Sequence, residues 1–230
     1  MILANTRGRL SANDLRLVVL LISQGSVARR IDAERRLQAE GPDPLLDTPE
    51  LDERLLAVQS MLVPSEVLFF YVLVRRALLA AQCDDRDLAD YLAALLLEFG
   101  KRDRAWRVDW NDDQRHRYLV DIVADADATD GDRRFKVMAH LGNYSLWLAG
   151  LYPDYIAARQ LRKGGPGISY YEDLGARGFG AASDHALADR YGLDAIFRTA
   201  AERFPTIREA LNRVSDRVLF PNLLGGPEKH

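Results

Sequence analysis

One cysteine, Cys83, is all the thiol that 230 residues contain. That excludes an intrachain disulfide and removes any need for an oxidising compartment; closing an apolar segment, Cys83 reads as a small packed hydrophobe. Isoleucine (8) and threonine (5) are scarce beside leucine (35) and alanine (29), and no stretch alternates apolar and polar residues over six positions. Almost no sheet is therefore expected and helix is favoured, because unbranched side chains lose little rotamer freedom in a helix. No apolar run reaches the roughly 20 residues a membrane-spanning helix needs. The longest, Val63 to Ala81, is interrupted by Arg75 and Arg76. The opening MILANTRGRL lacks the order of a secretory leader, so a cytoplasmic location is expected. There is no internal repeat and no sustained heptad pattern. The net charge of −3 gives no overall attraction to nucleic acid or anionic membranes.

What is present is an ordinary globular balance, 48% apolar and 28% charged. The expected fold is all-α: a single-domain bundle of about ten helices over 1–222, with a frayed tail at 223–230. Ser11 caps a helix from about Ala12 to Ser23, and Ser26 a second through Glu40. Thr48-Pro49-Glu50 signals another start, followed by Leu51, Leu55, Val58 and Leu62 at helical spacing. The most apolar segments, about 64–82 and 85–99, are expected at the centre as an antiparallel pair, the second capped by Asp84. The stretch 101–113 reads as a loop, with a helix following from Asn111 or Asp112 to about Ala124. The acidic run 125–132 is the best place for a subdivision. Further helices are expected over about 132–151, 153–162, 170–173, 176–191, 194–202 and 206–219, with Lys163-Gly164-Gly165-Pro166-Gly167 as a loop.

Three constellations can carry chemistry. Glu98 sits among leucines, where an unmatched charge is costly. Arg75 or Arg76 on the neighbouring helix is its expected partner in a structural ion pair; the alternatives are an exposed Glu98 near the helix end and a functional carboxylate in a pocket. On the helix around His140, the residues His140, Asn143, Tyr144 and Trp147 form one stripe, which suits either a packed core or a planar or hydroxylated ligand. The glycine loop runs into Tyr170, Tyr171 and two carboxylates. It lacks the lysine and hydroxyl of a phosphate-binding loop, and reads as a connector or a lid. No histidine has metal-ligand spacing, and no cofactor motif is present. Arg29, Arg30, Arg35 and Arg36 alternate with Asp32 and Glu34 in a solvated, salt-bridged face; DNA binding through helix 26–40 is the weaker reading of that face.

Two functions of different class follow. The first is a helical interaction or regulatory module that pairs with a protein partner or self-associates as a homodimer. The second is a small-molecule-binding protein or enzyme. Glu98 or His140 would then be its acid or base, Asn143, Tyr144, Tyr170 and Tyr171 would orient the ligand, and the glycine loop would gate entry.

Overall fold

Short polar side chains set where several helices begin. Ser11, Ser26, Ser65 and Asp85 each accept a hydrogen bond from the backbone N–H three residues on, satisfying a donor that the first helical turn leaves unpaired. In a computed structural model describing residues 1–58 and 63–218, thirteen α-helices result, ten of them of seven or more residues, with no strand among the described residues. They are α1 (Ala12–Ser23), α2 (Val27–Glu40), α3 (Asp43–Leu46), α4 (Leu51–Leu56), α5 (Glu66–Ala80), α6 (Arg86–Phe99), α7 (Leu119–Ala128), α8 (Gly131–Leu151), α9 (Pro153–Lys163), α10 (Ile168–Ser183), α11 (Ala186–Arg190), α12 (Asp194–Glu202) and α13 (Phe204–Val218). No helix among them is long and apolar enough to cross a membrane.

Helices α5 and α6 pack against each other across the short connection 81–85. Every residue of α6 from Leu88 to Leu97 is buried, and so is Phe99; each leucine withdrawn from water contributes about 1.5–3 kcal/mol. The longest helix, α8, meets α6, α7, α9, α10 and α13. One continuous apolar cluster runs from Ile2 to Leu211. The N-terminal segment is tied to α6 through Thr6, whose hydroxyl donates to the Asp90 carbonyl at 2.9 Å.

Several boundaries differ from the sequence reading, each for a physical reason. The second central helix is capped by Asp85 rather than Asp84, because Asp84 pairs instead with Arg75. Thr48 makes no side-chain cap. Glu50, at φ 63°, precedes α4, and that helix ends before Val58; Leu62 lies outside the described residues, as do Leu219 and the tail 223–230. No helix starts at Asn111. The polar run 111–118 has no apolar face to bury, and the His116 N–H donates to the Trp106 carbonyl at 2.7 Å, holding the segment as a loop until Leu119. Helix α7 continues through 125–128 and packs on α8, so only Thr129 and Asp130 separate the two. The expected breaks at 174–175 vanish into one helix, α10, whose Gly175 and Gly178 touch neighbouring helices.

The structural ion pair expected between Arg75 or Arg76 and Glu98 is not formed. Arg75, 1% exposed, donates to Asp47 at 2.7 and 3.0 Å and to Asp84 at 2.5 Å. The Arg76 Nε lies 3.6 Å from Asp52. Glu98 pairs with Lys101 and lies 3.9 Å from Arg104. The hairpin explains the difference: Arg75 lies near its closed end and Glu98 near its open end. At 1.5 Å per residue the two are separated by roughly 10 Å along the axis.

Candidate functional site

Helix α8 turns Tyr144, Trp147 and Leu148 onto one face, since residues three and four apart are neighbours on a helix. Pro153 then opens α9, and the chain folds back so that Tyr155 and Arg159, again four apart, look toward that face. The first turn of α10 adds Tyr171, and the loop before α7 adds Trp106, Arg117 and Tyr118. Together with Leu119 and Tyr152 these residues line a cleft of about 450 Å³. Six of the nine tyrosines lie on it or on the hollow beside it that contains Tyr170.

The rings are fixed by one another. Trp147 stacks near-parallel on Tyr144, with centroids 6.0 Å apart, and meets Tyr152 edge-on at 5.0 Å. The Tyr144 hydroxyl donates to the Arg117 carbonyl at 3.0 Å, and burial pushes its pKa up to about 12, so it serves as a neutral donor. Burial likewise raises Tyr171. The Arg117 guanidinium lies 5.0 Å over the Trp106 ring, and that of Arg159 5.0 Å over the Tyr118 ring, distances at which a cation is attracted to the ring face.

The residues singled out from the sequence divide into two groups. Tyr144, Tyr170 and Tyr171 reach the cleft or its adjoining hollow. Asn143 does not: it is buried and accepts a hydrogen bond from the Tyr91 hydroxyl at 2.8 Å. His140 is packed behind the cleft, between Phe99 at 5.8 Å and Tyr144 at 6.0 Å, with its Nε2 buried and unpartnered. Burial, then the nearby positive charge of Arg104, holds its pKa well below the ordinary value, so it is neutral at pH 7. Glu98 lies outside the cleft with Lys101 and Arg104. The acid or base roles assigned to Glu98 and His140 therefore find no place at this wall, because neither side chain lines it.

Sequence reasoning missed Trp106, Arg117, Tyr118, Tyr152, Tyr155 and Arg159. The available signal was tyrosine density, with Tyr144, Tyr152, Tyr155, Tyr170 and Tyr171 inside 28 residues. Among the described residues no group of three His, Cys, Asp or Glu side chains is gathered as a metal site.

No protein-family model, curated protein or solved structure matches this chain.

Proposed function

We propose that the protein binds a small planar ligand in the cleft between α8, α9, α10 and the 106–119 loop. One observation carries this reading: seven aromatic side chains converge on a single concavity of about 450 Å³, within the size range of small-molecule sites. Tyrosine and tryptophan faces offer flat apolar area at low cost in side-chain freedom, and their polar ends orient what they stack on. No catalytic role is assigned to any residue, since no acid–base pair lines the wall.

The test is calorimetric titration of the whole protein with 1-naphthol, a neutral bicyclic probe, beside Tyr118→Ala and Tyr155→Ala. Both tyrosines are more than half exposed, at 51% and 54%, so neither truncation empties the core. Saturable binding by the parent, lost in the variants with unchanged thermal midpoints, supports the reading. Absence of any binding overturns it.

A second reading, self-association, draws on α2. Val27 and Ile31, one turn apart, are 73% and 53% exposed, and a groove of about 490 Å³ between α1 and α2 is lined by Leu15, Val19, Leu20 and Leu37 together with Arg16, Arg30 and Glu34. Exposed apolar side chains and a half-open groove of this kind suit a partner helix. A sedimentation mass of one chain, unchanged in Ile31→Glu, would remove this reading.

A further inference from the structure

Beside the aromatic cleft lies a second hollow of about 320 Å³, lined by Tyr118, Tyr155, Ala158, Arg159, Arg162 and Lys163. The two share Tyr118, Tyr155 and Arg159. A third, of about 540 Å³, again shares Tyr118 and Arg159. The stacked Arg159–Tyr118 pair is thus the common wall of all three. The charges on these walls are of one sign: Arg117, Arg159, Arg162 and Lys163, with no aspartate or glutamate.

That one-sidedness stands out in a chain where acidic residues outnumber basic ones, 34 to 31. Elsewhere several buried and half-buried arginines are matched, Arg75 by Asp47 and Asp84, Arg133 by Asp112 and Asp125, Arg208 by Glu172, while Arg107 and Arg203 donate to backbone carbonyls. Among the described residues none of the four cleft cations has a carboxylate within ion-pair distance. Arg159, half-buried, rests instead on the Tyr118 ring, which fixes the plane of its donors without neutralising them. A fixed, unneutralised guanidinium in a concave wall favours an anion, and charge-assisted hydrogen bonds to phosphate are among the strongest available.

We infer that the ligand of this cleft is a planar aromatic compound bearing a phosphate group, its ring against the Tyr144–Trp147–Tyr155 wall and its phosphate in the basic hollow of Arg159, Arg162 and Lys163. The inference rests on the cleft being a ligand site. The division of labour is spatial: flat apolar area lies on one side of Arg159, and Arg162 and Lys163 lie on the other.

The experiment titrates the full chain by calorimetry with 1-naphthyl phosphate, 1-naphthol and inorganic phosphate. Naphthyl phosphate should bind roughly tenfold or more tightly than naphthol, and more weakly as sodium chloride rises from about 50 to about 500 mM. Arg159→Gln should lower the preference for naphthyl phosphate over naphthol about tenfold. The double change Arg162→Gln with Lys163→Gln, at two exposed positions, should reduce it without a folding cost. Equal affinity for naphthol and naphthyl phosphate overturns the anionic assignment and leaves the planar site standing. Failure of both to bind overturns the site itself. Inorganic phosphate binding as tightly as naphthyl phosphate overturns the role of the ring. A short single-stranded oligonucleotide that binds when naphthyl phosphate does not overturns the small-ligand assignment in favour of nucleic acid.

Discussion

Gly142 of α8 and Gly178 of α10 meet where the two helices cross. A Cβ built on Gly178 would stand 2.7 Å from the Gly142 nitrogen and 2.8 Å from the Met138 carbonyl oxygen. Both neighbours are backbone and cannot swing aside, so the crossing distance depends on the missing side chain. Gly178→Ala must push α10 away from α8 and should cost about 1–3 kcal/mol or more, read as a lower urea midpoint. An unchanged midpoint would show that the crossing is looser than these distances require.

The same glycines mark where the sequence ceased to be legible. Read in isolation, Gly175 ends one helix and starts the next, because glycine weakens an isolated helix by about 1 kcal/mol, and Gly178 is an ordinary helical position. Their actual role appears only with the partner helix, since a Cβ at Gly175 would lie 2.3 Å from the Phe204 ring. Features that depend on neighbours in sequence were readable: the caps at Ser11 and Ser26, the loop at 164–167 and the apolar hairpin of α5 and α6. The partner of Arg75 was not, because Asp47 lies 28 residues away on a segment with no pattern of its own. The cleft was half-readable. Its tyrosines cluster in the sequence, but its walls come from four segments between Trp106 and Tyr171, and no periodicity links them.

Arg75 is a buried cation whose charge is met on two sides. Burial alone would lower its pKa, but hydrogen bonds to Asp47 and Asp84 outweigh that and raise it, so it stays charged throughout the accessible range. Removing one member of a buried ion pair leaves the other uncompensated, at a cost of about 3–5 kcal/mol. Asp47 keeps Arg86 as a second partner at 2.7 Å, and Asp84 is largely exposed. Arg75→Ala should therefore fall toward the lower end, about 3 kcal/mol, part of it from lost packing. Denaturant unfolding measures it; a loss below about 1 kcal/mol would place the triad with ordinary surface pairs.

Asp47 makes the fold acid-sensitive. Burial works to raise its carboxyl, but hydrogen bonds from Arg75 and Arg86 prevail and hold it below the usual carboxylate range. The unfolded chain, with Asp near 3.9, therefore takes up this proton before the folded chain does. The stabilisation is fully present above the unfolded pKa and disappears as pH falls through the folded one. Asp47→Asn should be less stable at pH 7 yet lose less on going from about pH 5 to about pH 3. Parallel curves for parent and variant over that window would refute the assignment.

His140 should produce a second, separate acid effect. Its folded pKa lies well below the ordinary value, first because the ring is fully buried and then because Arg104 is close. In the unfolded chain the imidazole is free to protonate near pH 6.5. Below that value the unfolded state binds a proton that the folded state refuses, so stability falls as pH drops from about 6.5 toward 5, a range in which Asp47 is ionised in both states. Replacing the ring by one that does not titrate, His140→Phe, should flatten stability across this window, whatever the change in its absolute level from repacking beside Phe99 and Tyr144. Because His140 supports the Tyr144 ring rather than lining the cleft, the variant should also retain 1-naphthol binding. A stability slope that persists in His140→Phe would assign the titration to another group. Loss of naphthol binding with the fold intact would put the imidazole in contact with the ligand after all.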